Sequence, residues 1–316
     1  WAMRSGWIPF AAACGAMLSL LAGSAVGFEA FASSGAQRDR NGRFLNAAGD
    51  VAFASPLVTV PFFLRRAVTT FTGHGSAPEA VVNDGAFLRE NAKHSTPTAT
   101  WIGHATVLVQ MDHVTFLTDP IWSERASPLG FAGPRRTVAP GVALDDLPPI
   151  DFVLVSHNHY DHLDLPTLRA LADRDPATRF IVPLGNADAL ASEGIRNVAE
   201  LDWGHEVQHG ALRIVCLPTQ HWSGRGPFDA RIALWGSYAV IGSERRFYFT
   251  GDSGYFPGFA EAGAAYGPFD LAAVPIGAYS PAAMMHAWHM NPEEAVQAGA
   301  DLGARRLLAI HFGTFD

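Results

Sequence analysis

Ser156-His157-Asn158-His159-Tyr160-Asp161-His162 is the stretch on which the reading of this chain turns. It follows a short apolar run, Phe152-Val153-Leu154-Val155, which reads as a buried strand. Neutral imidazole and carboxylate suit a borderline divalent ion such as zinc. Alternate residues at a strand end point the same way, so His157 and His159 can share one ion. Asp161 and His162 come after the chain has turned and can hold a second. A histidine-rich surface loop is the competing reading of this stretch by itself.

The rest of the chain repeats the device. Arg213-Ile214-Val215-Cys216-Leu217 reads as a strand and leads to His221. Phe247-Tyr248-Phe249-Thr250 reads as another and leads to Asp252, and Leu307-Leu308-Ala309-Ile310 ends at His311. One strand end with a ligand means little. Several fit a sheet sandwich whose ligands converge on one rim. The set divides naturally: His157, His159 and His221 for one ion, Asp161, His162 and His311 for another, and Asp252 between them. Asp119 also ends a strand, Val114-Thr115-Phe116-Leu117-Thr118, just before Pro120. It reads equally well as a turn residue or as an acceptor that orients a ligand histidine.

With these residues in place, the chain resembles the metallo-β-lactamase superfamily, an α/β fold built as an αββα four-layer sandwich. Further segments narrow the likeness: Trp101-Ile102-Gly103-His104-Ala105-Thr106, Leu117-Thr118-Asp119-Pro120, Leu147-Pro148-Pro149-Ile150-Asp151, Leu234-Trp235-Gly236-Ser237 and Pro275-Ile276-Gly277-Ala278-Tyr279. They resemble the N-acylphosphatidylethanolamine-hydrolysing phospholipase D family, from about Arg43 to the last residue. The resemblance implies two Zn2+ ions, with other divalent metals also suited. It implies a phosphodiester of an N-acylethanolamine phospholipid as substrate, with phosphatidic acid and an N-acylethanolamine as products. Two adjacent dications bring a water's pKa toward neutrality and so supply a nucleophile without serine or cysteine. Asp161 and Asp252 would then be catalytic as well as ligating. By the same resemblance Tyr160 and His289 sit beside the lipid head, and His289 orients substrate or protonates the leaving group. Packing for Tyr160 and a capping role for His289 are the bland alternatives. Trp288 stands where the family is expected to have glutamine.

Composition sets bounds. A chain of 316 residues suits one large α/β core. The net charge of −8 and the lack of a basic stripe speak against nucleic acid. Cys14 and Cys216 lie in unlike contexts, one in an apolar leader and one in a core strand, so no disulfide is expected. Trp7 to Phe28 carries no charge, and about 22 residues suffice to cross a bilayer or to serve as a signal peptide. The expected organisation is a leader over 1–30, an extension and linker over 31–95, and a hydrolase domain over 96–316 that lacks a C-terminal tail. Arg38 to Gly49 reads as polar linker, and the apolar Leu57 to Phe71 as a core segment rather than a membrane-surface one. Thr96 to Asp119 reads as two strands, and Pro166–Asp173 and Pro292–Leu302 as helices. His104 reads as a core histidine or as a support for a ligand. His74, His94, His113, His205, His209 and His286 have no spacing that recommends them. Trp122, Phe131, Trp222 and Phe228 read as core, with a lipid groove as the alternative.

The expected partners are a phospholipid and a membrane surface, with a homodimer left open and the cell envelope or a membrane as location. A metallohydrolase of a lactone or a soluble phosphodiester is the runner-up, since fold and metals do not fix substrate. A non-enzymatic tethered binding protein is disfavoured because every ligand position holds a competent residue.

Overall fold

Alternation along the strands sorts the apolar residues into three layers. The computed structural model describes residues 35–72, 81, 83–94 and 96–315. The leader, Cys14 and His74 lie outside them. The first sheet runs in chain order: β1 (Thr98–Gly103), β2 (Thr106–Met111), β3 (Val114–Thr118), β4 (Phe152–Leu154), β5 (Arg179–Pro183) and β6 (Val198–Leu201). The second runs β7 (Glu206–His209), β8 (Leu212–Leu217), β9 (Ser237–Ile241), β10 (Arg246–Phe249), β11 (Leu271–Pro275) and β12 (Leu307–Ile310). Both begin with antiparallel hairpins and end in parallel pairs.

The helices are α1 (Pro56–Thr72), α2 (Ala86–His94), α3 (Leu165–Arg174), α4 (Ala187–Ser192), α5 (Gly258–Tyr266), α6 (Ala282–Met285) and α7 (Pro292–Asp301). In β8, Leu212, Ile214 and Cys216 face the first sheet, while Val215 and Leu217 face α5 and α7. In β4, Phe152 and Leu154 join the inter-sheet core, while Val153 packs with Leu168 and Leu171 of α3. This period of two is what a strand buried on both faces requires. The result is the expected αββα order. The Phe116 and Phe152 rings stack at 4.6 Å across neighbouring strands of the inner layer.

Three readings change. The stretch from Thr96 to Asp119 holds three strands, not two. Asp112 and His113, at φ 49° and 63°, make the tight β2–β3 turn without the glycine that would have signalled it. The segment 38–49 is not a free linker: Phe44 is buried between the sheets, and Asn46 Oδ1 accepts from the His221 backbone N–H at 3.1 Å. Leu57, Val60 and Leu64 of α1 are 88, 54 and 64% exposed, so the face that carries them is not core. Among the described residues, no helix is long and apolar enough to cross a membrane.

Candidate metal centre

Five strand ends meet at one rim of the sandwich. β3 and β4 are parallel neighbours, as are β10, β11 and β12, and β8 runs with β10 because both are antiparallel to β9. Asp119 and His157 therefore leave the first sheet in one direction, His221, Asp252 and His311 leave the second in one direction, and the two sets meet at the clusters. Gly251 permits the two halves to close. Its φ is +62°, and a Cβ there would lie 2.5 Å from Ser156 Cβ. The His221 loop is pinned from beneath. Trp235 Nε1 donates to Thr219 O at 2.9 Å and Thr219 Oγ1 to Asp252 O at 2.6 Å.

Two clusters result. His157 Nε2 lies 2.9 Å from His159 Nδ1, which lies 3.3 Å from His221 Nε2. In the second, Asp252 Oδ2 is 3.1 Å from both His162 Nε2 and His311 Nε2. Asp161 Oδ2 is 3.5 Å from the same two nitrogens. Asp252 Oδ2 is also 3.9 Å from His221 Nε2, which puts it between the clusters. Donor atoms about 2.0–2.2 Å from a tetrahedral zinc stand roughly 3.3 Å from one another, close to these spacings. His162 Nε2, His311 Nε2 and Asp252 Oδ1 are buried without a well-formed hydrogen bond. Such atoms are costly unless something is bound to them. The residues present therefore fit divalent ions.

Charge points the same way. Burial pushes His157 well below the ordinary imidazole range, His159 to about 4 and His221 to about 3, so all three are neutral donors. Burial also opposes charge on His162 and His311. There the Asp252 and Asp161 carboxylates prevail and hold His162 well above its usual value and His311 at about 9. Burial would raise Asp161 and Asp252, but the surrounding histidines keep both well below the carboxylate range. The two carboxylates draw positive charge to one spot.

Asp119 is fully buried beneath this layer. Its Oδ2 accepts from His162 Nδ1 at 2.6 Å and from Ser156 Oγ at 2.6 Å, and Ser156 Oγ meets His157 Nδ1 at 2.9 Å. It thus does more than turn the chain. The Trp288 carbonyl accepts from His221 Nδ1 at 3.0 Å, a backbone contact that tolerates the unexpected tryptophan. His289 Nδ1 stands 3.7 Å from Asp252 Oδ2, and burial pushes this ring to about 3. Tyr160 turns its ring to the cleft while its hydroxyl donates to Arg225 O at 2.9 Å. That proton is committed to the protein, and the Arg225 guanidinium lies over the ring, 4.0 Å from its centroid.

A cleft of about 780 Å³ opens onto the clusters. Phe53, Phe62, Trp222, Met285, Trp288 and Phe315 give it an apolar wall. Trp222 is therefore a cleft residue. Trp122 packs at the first sheet's outer face, and Phe131 and Phe228 are exposed, 79 and 85%, rather than core. His94, His113, His205, His209 and His286 all lie away from the clusters, His286 pairing with Glu294 at 2.7 Å. His104, readable in the sequence as a core histidine or as a support for a ligand, stands at the site, its Nε2 3.0 Å from Asp161 Oδ2. Its signal was a place just past a strand end, the same as Asp119.

Known proteins agree with this architecture. An N-acyl-phosphatidylethanolamine-hydrolyzing phospholipase D of Caenorhabditis elegans is 46% identical over 69% of this chain and 64% of its own length. The mitochondrial N-acyl-phosphatidylethanolamine-hydrolyzing phospholipase D of Saccharomyces cerevisiae is 34% identical over 72% of this chain and 50% of its own. The chain thus spans less than two thirds of these relatives. Among solved structures, an isothiocyanate hydrolase from Delia radicum gut bacteria superposes with a TM-score of 0.54 at 23% identity, over 68% of this chain and 85% of that one. It shares the fold. The Beta-lactamase superfamily domain matches residues 114–312, the span that carries both sheets' ligand-bearing strand ends, and the chain belongs to that superfamily.

Proposed function

We propose that this chain carries the active site of a dinuclear metal phosphodiesterase of the phospholipase D type, acting on N-acylphosphatidylethanolamine-like lipids. The observation that carries the reading is the union of a His/Asp cluster pair with an apolar cleft. A soluble phosphodiester needs no wall of that kind. The relatives named above, whose names specify this substrate, support the same class. His157, His159 and His221 would hold one ion, Asp161, His162 and His311 the other, with Asp252 available to both. The nitrogen- and carboxylate-rich donor set favours zinc.

When bound, the ions supply a water-derived nucleophile at neutral pH and Lewis acidity at the phosphoryl oxygen. The protein supplies placement. The cleft takes the acyl chains and excludes water. We assign His289, neutral and beside Asp252, the task of orienting the head group and hydrogen-bonding the departing oxygen. Tyr160 also lines the cleft. Attack at phosphorus needs no covalent enzyme intermediate, so the chain requires no serine or cysteine at the site.

The exposed apolar face of α1 supports docking on a membrane surface, with Thr59 and Phe62 of the same helix lining the cleft. A location at a membrane or the cell envelope follows from that.

The test is turnover of N-acylphosphatidylethanolamine in micelles by the zinc-loaded full-length protein in heavy-oxygen water. Label should appear in phosphatidic acid. Label in the N-acylethanolamine would contradict attack at phosphorus. Turnover of a lactone or a soluble phosphodiester alone would reassign the substrate.

A further inference from the structure

The Trp101–Thr106 segment reaches the site through His104. β1 ends at Gly103, and His104 turns the chain into β2 with φ +52°. A non-glycine residue in that region is uncommon, and strain of this kind gathers at functional sites. His311 is in the same region at φ +60°, and the two are bonded directly. The His311 backbone N–H donates to His104 O at 2.8 Å. That carbonyl also accepts from Trp101 Nε1 at 2.9 Å, and the His104 N–H donates to Thr314 Oγ1 at 2.7 Å.

The side chain reaches the other half of the cluster. His104 Nε2 is 3.0 Å from Asp161 Oδ2. A carboxylate only accepts, so Nε2 carries the proton and donates. The His104 ring also packs 4.2 Å from the His311 ring and 5.1 Å from Phe315. Asp161 needs this support more than its neighbours. Its side chain is 30% exposed to the cleft, whereas those of His162 and Asp252 are 0 and 2% exposed. Burial encloses those two, and His162 is also held by Asp119; the more exposed Asp161 is held from outside by the His104 hydrogen bond.

We infer that His104 is a positioning residue for the second ion, holding Asp161 through its ring and His311 through its backbone, without itself being a ligand. The inference rests on the two-ion reading above. Its physical content is that an anchored carboxylate presents one oxygen to the ion at no cost in rotamer freedom, while a free one must be ordered on binding.

The test compares His104→Ala and His104→Gln with the wild type. Both keep the backbone carbonyl, and glutamine keeps a donor of similar reach. The readouts are ions retained per chain against a graded chelator, the visible bands of Co2+ in the second site, and the melting of the metal-free proteins. The wild type should retain two ions. His104→Ala should keep the His157–His159–His221 ion unchanged and bind the other about 10- to 100-fold more weakly. His104→Gln should recover most of that loss with Co2+ bands unmoved. Wild-type affinity at both sites in His104→Ala overturns the proposal. So does equal weakening of both sites with a collapse of metal-free stability in both variants, which marks a purely structural role. Shifted Co2+ bands in His104→Gln would make His104 a ligand, also against the proposal. A wild type that takes up one ion fails the two-ion reading itself, before any variant is made, and the proposal falls with it.

Discussion

At Asp119 a single buried carboxylate sets the direction of two imidazoles. It bonds His162 Nδ1 directly and His157 Nδ1 through Ser156 Oγ. With Nδ1 protonated on both rings, each Nε2 lone pair faces the cluster. Replacing Asp119 by alanine should weaken both ions, each by about 10- to 100-fold, the usual cost of losing such a support. Chelator competition measures it, and an unchanged first site would show that the Ser156 relay does not matter. Asp252 works differently, between the clusters. Asp252→Asn should leave the fold intact and remove nearly all turnover, since a neutral amide does not offset the repulsion of two cations. A fall of less than about tenfold, ~1.4 kcal/mol in barrier terms, would exclude the bridging role. Cys216 marks the opposite extreme of reactivity. Burial, then the nearby Asp202, push its thiol up, and it is fully enclosed in the inter-sheet layer. Peptide mapping after alkylation of the folded protein at mildly alkaline pH should find Cys216 unmodified, and modified only after unfolding.

Elements reveal which parts of the sequence were legible. The strands before His157, His221, Asp252 and His311 were readable because each is a short apolar run followed by a polar ligand-type residue. Four such ends sufficed for the sandwich. The helices α3 and α7 were readable from proline in the first turn, and α7 adds a capping box in which Asn291 and Glu294 satisfy each other's backbone. The β2–β3 turn was not readable, because Asp112-His113 adopts it without glycine. Phe44 and Asn46 were hidden in a polar stretch, since two anchoring residues leave no period. Apolar α1 was misplaced for a deeper reason: hydropathy reports dislike of water but not what replaces it. Leu57, Val60 and Leu64 recur at helical spacing on its exposed face. Leu57→Asp with Leu64→Asp should change unfolding free energy by no more than about 0.5 kcal/mol, as exposed positions do. The same pair should abolish sedimentation with phospholipid vesicles. Undiminished vesicle binding would remove α1 from the membrane face.

For the whole molecule, the candidate ligands come from both sheets, so bound ions would tie the halves together. Stripping them should lower the melting temperature in one cooperative step, detected by calorimetry before and after chelation. Each site contributes about 2.7 kcal/mol when free ion is at a hundred times its Kd. A melting point that ignores the metal would mean that the rim is rigid without it. The order of these ligands along the chain has its own consequence during synthesis. His157, His159, Asp161 and His162 leave the ribosome early, His221 and Asp252 follow, and His311 comes last. Neither cluster is complete until both sheets exist, because His221 finishes the first and His311 the second. A nascent chain can offer only partial, mobile grips to passing ions. On the metal-bound reading, which metal is kept would be decided after translation, by a folded rim and by the ions its surroundings then contain.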